Sequence, residues 1–184
     1  MDSIKIDQHG IARPALFIAS PNYDARPGTA ITLAVIHNIS LPPGQYGGNG
    51  VIELFTNRLD ADAHPYYAGI HQLKVSAHFF IRRDGSLLQF VPCNQRAWHA
   101  GVSSWQGRER CNDYSIGIEL EGSDDDAFTA EQYATLNHLL AALKTAYPIQ
   151  DVVGHSDIAP GRKTDPGPCF DWSQITGTCL LRQP

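Results

Sequence analysis

No apolar run in this 184-residue chain approaches the about 20 residues needed to cross a bilayer, which excludes a transmembrane helix. The opening MDSIKIDQHG has no basic stretch followed by an apolar one, so no secretory signal is expected and a cytoplasmic location is. None of the cysteines Cys93, Cys111, Cys169 and Cys179 forms a C-x-x-C pair, which removes the usual mark of a thiolate zinc site or a thioredoxin-like motif. A reducing compartment would keep all of them as free thiols. There is no H-E-x-x-H and no G-x-S-x-G, so two common hydrolase signatures are absent. Gly47, Gly48 and Gly50 are not followed by G-K-[ST], so the stretch LPPGQYGGNG (41–50) reads as a mobile loop and not as a phosphate cradle. Charge is sparse at 18%, and the net value of −5 does not point to nucleic acid or an anionic membrane as partner. Repeats and low-complexity segments are missing too. One domain over residues 1–184, acting as a monomer, is the expectation.

What is present reads as alternating strands with one long helix. Strands are expected at Ala15–Ser20 and Ile31–Ile39, the second nearly continuously apolar and β-branched, as a buried central strand is. A short helix is predicted over Val51–Asn57. The Asp84-Gly85 pair predicts a hairpin between Ser76–Arg82 and Ser86–Val91. SIGIELE (115–121) alternates, placing Ser115, Gly117, Glu119 and Glu121 on one side, where they line either a cleft or an ordinary solvated face. The clearest helix is Ala130–Tyr147, with a Thr129/Gln132 capping box and leucines at helical spacing. A short strand, Asp151–Val153, then runs into a long glycine- and proline-rich loop. This order predicts an α/β (α+β) fold, a central mixed sheet with helices packed on it.

Of the histidines, His37, His78, His99 and His155 lie in or at the ends of strand-like segments, where sites are usually built. A catalytic zinc takes three protein ligands and keeps a fourth position for water. His37, His155 and Asp165, the last on a returning loop, could supply those three; spacing alone leaves hydrogen-bonded core histidines as an open alternative. Glu119 could take a proton from water in a cleft. Lys163, two residues before Asp165, could steady an oxyanion.

Four stretches carry a resemblance: HNISLPPGQYGG, SAHFFIRRDGSLLQFVP, RAWHAGVSSWQGRERCNDYSIGIELEG and VVGHSDIAPGRKTDPGPCFDW. Together, from about Ala15 to Trp172, they resemble the zinc amidases that cleave N-acetylmuramoyl-L-alanine bonds, and within these the AmpD-type branch. The resemblance implies a mixed-sheet amidase fold, shared with phage amidases and peptidoglycan recognition proteins. It implies Zn2+ held by His37, His155 and Asp165, with Asp165 standing where phage enzymes and many recognition proteins carry cysteine. It makes Glu119 the catalytic acid or base and Lys163 the oxyanion-stabilising lysine. It suggests Trp98 and Arg110 as contacts to sugar or peptide, with Asn38, Tyr46 and Arg162 as further pocket residues. The implied partner is a small muropeptide, 1,6-anhydro-N-acetylmuramoyl peptide, cleaved during cell-wall recycling with an indirect bearing on β-lactamase induction. His78 and His99 are expected either to position substrate as protonated groups or to be structural. The rival readings are a binding module without activity, an exported autolysin acting on intact wall, and a structural zinc domain.

Overall fold

The computed structural model describes residues 3–176. In chain order the strands and helices are β1 (Lys5–Ile6), β2 (Ala12–Arg13), β3 (Leu16–Phe17), β4 (Tyr23–Ala25), β5 (Leu33–Ile39), α1 (Gly50–Phe55), β6 (Phe79–Ile81), β7 (Leu87–Gln89), β8 (Gln95–Ala97), β9 (Ser104–Trp105), β10 (Arg108–Glu109), β11 (Ser115–Glu121), α2 (Ala130–Ala146), β12 (Asp151–Gly154) and α3 (His155–Ile158). The central sheet has the order β12-β5-β11-β6-β7-β3. β12, β5, β11 and β6 are mutually parallel, and β7 runs antiparallel to β6. The expected mixed sheet is therefore present. Three small antiparallel ribbons, β1–β2, β4–β8 and β9–β10, flank it and were not anticipated.

Period-two alternation divides the sheet into two faces. Ala34 and Ile36 of β5, with Ile116, Ile118 and Leu120 of β11, pack against Leu136, Leu139, Leu140 and Leu143 of α2. Leu33 and Val35 face the other way, into a smaller cluster with Ala100, Tyr114, Val153 and Ile158. Each fully buried leucine or isoleucine contributes about 1.5–3 kcal/mol by leaving water. This two-sided covering is why β5 and β11 read as buried strands, and all seven residues of β11 are buried.

The capping box forms as expected. Thr129 Oγ1 accepts from the Gln132 amide at 3.1 Å, and Gln132 Oε1 accepts from the Thr129 amide at 3.1 Å. Gln132 also donates from Nε2 to the carbonyl of Glu121 at 3.0 Å, which fastens the start of α2 to the end of β11. Thr129→Ala should cost about 1 kcal/mol, read as a lower urea midpoint at unchanged slope; an unshifted midpoint would count against the cap.

Two local expectations change. The predicted strand Ala15–Ser20 shrinks to Leu16–Phe17, the two residues in ladder register with β7, while the Ile18 and Ser20 amides still donate to the Gln89 and Phe90 carbonyls. The long loop expected after Val153 begins with α3, whose first turn is fixed by Asp157 Oδ2 accepting from the Gly154 amide at 2.7 Å. Among the described residues, no helix is long and apolar enough to cross a membrane. Cys93, Cys111 and Cys169 are free thiols, and Cys179 lies outside the described residues.

Candidate active site

Parallel register builds the site. Glu119 lies directly beside His37 across β11 and β5, so their side chains share a face. On the other flank of β5, Gly154 pairs with Ile36, which sets the next residues, His155 and His37, side by side. Three neighbouring residues thus emerge at the carboxyl ends of three adjacent parallel strands, where open α/β sheets carry their ligands. Asp165 is brought back by its loop, its carbonyl accepting from the Ser156 amide at 2.9 Å.

The three side chains converge on a point. His37 Nδ1, His155 Nδ1 and Asp165 Oδ2 form a triangle with every edge 3.0 Å. Tetrahedral zinc with ligand distances of 2.0–2.1 Å separates its donors by about 3.3–3.4 Å, so the triangle needs to open by only a few tenths of an ångström. The donor set of two imidazoles and one carboxylate suits zinc, and a fourth side faces an open cavity of about 590 Å³. Beside it, Glu119 is 9% exposed and its Oε2 has no hydrogen-bond partner among the described residues. A buried carboxylate oxygen left bare is costly, and its position fits a group that serves a cation-held water or a substrate. The residues present therefore fit a zinc ion.

The electrostatics agree. Burial pushes His37 down to about 4, against the hydrogen bond with Asp165, so the ring is neutral at pH 7, as a metal ligand must be. Burial opposes ionisation of Asp165, but hydrogen bonds from His155 and His37 outweigh it and hold the carboxyl well below the ordinary range. Glu119 moves the other way: burial, helped by repulsion from Asp165 and opposed by Lys163, raises it well above the usual carboxylate range.

The residues named as substrate contacts divide. Asn38, Trp98 and Arg162 line the same cavity as the ligand triangle, as does Lys163. Asn38 Nδ2 donates to Asp124 at 2.7 Å. Arg162 has part of its guanidinium already engaged, donating to the carbonyls of Ala100 at 2.7 Å and Val102 at 2.6 Å. Tyr46 is not among the residues lining this cavity; its hydroxyl is bound to Asp126. Arg110 sits in a left-handed backbone conformation, pairs with Asp113 at 3.1 Å and lines a separate cavity of about 620 Å³.

Three further findings lie beyond the sequence reading. The loop expected to be mobile is tethered, with the Gly47 amide donating to buried Glu121 at 2.6 Å and Arg82 donating to the Gly48 carbonyl at 3.0 Å. The cavity has an apolar wall of Tyr66, Ile70, Leu73 and Val75, drawn from a stretch with no periodic signal. His78 is wholly buried and His99 half-buried, and desolvation holds both well below the ordinary histidine value. That direction favours the neutral rings and counts against either positioning substrate as a cation.

A His–His–carboxylate cluster beside a buried acid, at the open end of parallel strands, is a layout that metallohydrolases use. The chain belongs to the N-acetylmuramoyl-L-alanine amidase family (Amidase_2), whose profile matches residues 27–168. It is 58% identical over 161 residues to the 1,6-anhydro-N-acetylmuramyl-L-alanine amidase AmpD of Citrobacter freundii, covering 86% of each chain. A crystal structure of a selenomethionine AmpD derivative superposes with a TM-score of 0.89 at 56% identity, covering 91% of this chain and 95% of that one. The AmiD amidase of Escherichia coli, solved with anhydro-N-acetylmuramic acid-L-Ala-D-γ-Glu-L-Lys, matches with a TM-score of 0.58 at 30% identity, over 95% of this chain and 65% of that one.

Proposed function

We propose that this chain hydrolyses the amide joining the lactyl group of 1,6-anhydro-N-acetylmuramic acid to L-alanine of the stem peptide. It does so with zinc on His37, His155 and Asp165, in cytoplasmic recycling of small muropeptides. The observation that carries the reading is the 3.0 Å ligand triangle set against the unpartnered Oε2 of Glu119. The names of the relatives, and the anhydromuropeptide in the AmiD structure, support the substrate.

Bound at the triangle, zinc supplies a Lewis acid for the scissile carbonyl and lowers the pKa of water from 15.7 to about 7. The protein's own residues do the rest. Glu119, held beside His37 by strand register, accepts the proton of the attacking water and returns it to the departing amine of L-alanine. Its raised proton affinity suits the second task, and a cation on the neighbouring ligands draws that affinity back toward neutrality. Lys163 projects at the cavity lip and places an ammonium near the developing oxyanion. Asn38, Trp98 and the apolar wall hold the sugar and peptide and keep bulk water out.

Zinc-loaded protein incubated with anhydromuramoyl tripeptide should release free peptide, followed by mass spectrometry. Release should stop with a chelator and return with added zinc. No release from a folded, zinc-loaded sample would favour the binding module, and peptide freed mainly from intact sacculi would favour the exported autolysin.

A further inference from the structure

We infer that the dipeptide His99–Ala100, clamped by Asn112, is a positioning unit that sets the tautomers of both ligand histidines. The inference rests on the reading of His37 and His155 as metal ligands. A neutral imidazole has one N–H and one lone pair, and a metal ligand must turn the lone pair to the ion. His155 Nε2 lies 3.1 Å from the Ala100 carbonyl, which can only accept, so a His155 that gives its Nδ1 lone pair to a cation keeps its proton on Nε2 against that carbonyl. His37 Nε2 lies 2.9 Å from His99 Nδ1, and His99 Nε2 lies 3.0 Å from Ser115 Oγ. When His37 gives its Nδ1 lone pair to a cation, its Nε2–H needs an acceptor, and His99 Nδ1 is the one in place. Ser115 Oγ then accepts from His99 Nε2. His37 and Ser115 are almost wholly buried and His99 is partly so, and no other partner of His37 Nε2 is found among the described residues.

Two consecutive residues thus serve the two ligands, and the structure fixes them together. The amides of His99 and Ala100 both donate to Asn112 Oδ1, at 3.2 and 2.9 Å. Arg162 occupies the other side of the Ala100 carbonyl at 2.7 Å. Gly117 on β11 leaves the space the His99 ring fills, since a Cβ there would fall on the ring. Asn112, His99 and Gly117 accordingly act through the ligands.

The test uses an isosteric pair. His99→Asn retains an acceptor, Oδ1, near the position of Nδ1, whereas His99→Leu has the same bulk and no acceptor. Zinc affinity is measured by competition with a chromophoric chelator, and histidine tautomers by long-range proton–nitrogen NMR of the zinc-loaded proteins. The wild type should show Nε2–H at both His37 and His155. The leucine variant should bind zinc about 10–100-fold more weakly, with His37 resonances altered and those of His155 kept, and the asparagine variant should recover most of the loss. Thermal unfolding of the metal-free variants separates misfolding from lost affinity. Should the leucine variant not fold, the wild-type tautomers and the asparagine affinity decide. Equal affinity in all three proteins, equal loss in both variants, or a wild-type His37 lacking Nε2–H would overturn the inference. A wild type that takes up no zinc at these histidines would instead sink the metal-site reading itself.

Discussion

Glu119→Gln is expected to lower turnover by about 10²–10⁴-fold while making the metal-free protein more stable at neutral pH. The first effect follows from removing the carboxylate that strand register sets beside His37. The second follows from burial. Glu119 Oε2 is unpartnered, and burial raises the carboxyl well above its ordinary range. A folded-state value raised above the unfolded one favours folding fully below the unfolded value of about 4.3, and that advantage is lost as pH rises toward the folded value. Glutamine does not titrate, so the two proteins should be nearly equal near pH 4. The variant should then pull ahead as pH rises, by about 1–3 kcal/mol at pH 8, the ordinary scale for an unpartnered buried polar group. Urea unfolding of chelator-treated protein at both pH values reads this directly. A stability difference independent of pH would contradict the assigned ionisation, and full turnover in the variant would remove Glu119 from the chemistry.

Removing the third ligand should be as severe. Asp165→Ala leaves two imidazoles where a catalytic zinc takes three protein ligands, and turnover at micromolar zinc should fall by at least about 10³-fold. A ligand at 100 times its dissociation constant stabilises the folded state by about 2.7 kcal/mol. Added zinc should therefore raise the unfolding temperature of the wild type and leave that of the variant unmoved. Metal analysis after dialysis supplies the control: one zinc per chain retained by Asp165→Ala would show that Asp165 is not a ligand. The same substitution removes the charge that helps raise Glu119, which should make that carboxyl easier to ionise in the metal-free protein.

Much of this was readable in the sequence, for reasons that also explain what was not. The run LAVIHNI and the alternation of SIGIELE announce β5 and β11 because both are long enough to show a period and are covered on both sides. The Thr129/Gln132 pair marks the start of α2 to the residue. The ribbons β1–β2, β4–β8 and β9–β10 are two or three residues per strand, too short for any period to register. The four residues of α3 are likewise hidden in a glycine- and proline-rich stretch. Spacing could offer His37 and His155 only as candidates, since they lie 118 positions apart and meet through the pairing of β12 with β5; the family resemblance then implied them as a ligand pair. Tyr46 and Arg110 were chosen from matching motifs, yet their placement turns on an acidic neighbour and a left-handed backbone that no motif encodes. The role of His99 depends on a three-dimensional relay from His37 to Ser115, so its strand-end position was the sole hint available.

β11 has one more implication. Its alternate residues each hold a separate office: Ser115 supports His99, Gly117 makes room for it, Glu119 faces the cleft and Glu121 ties the Gly47 loop. A strand advances about 6.6–6.8 Å every two residues, so these duties are spaced like marks on a ruler. Gain or loss of one residue at the start of the strand would turn all four toward α2 and thrust Ile116, Ile118 and Leu120 into the cavity. A single side chain here can be exchanged at a cost confined to its own contact, but a change in the length of the segment would undo all four at once.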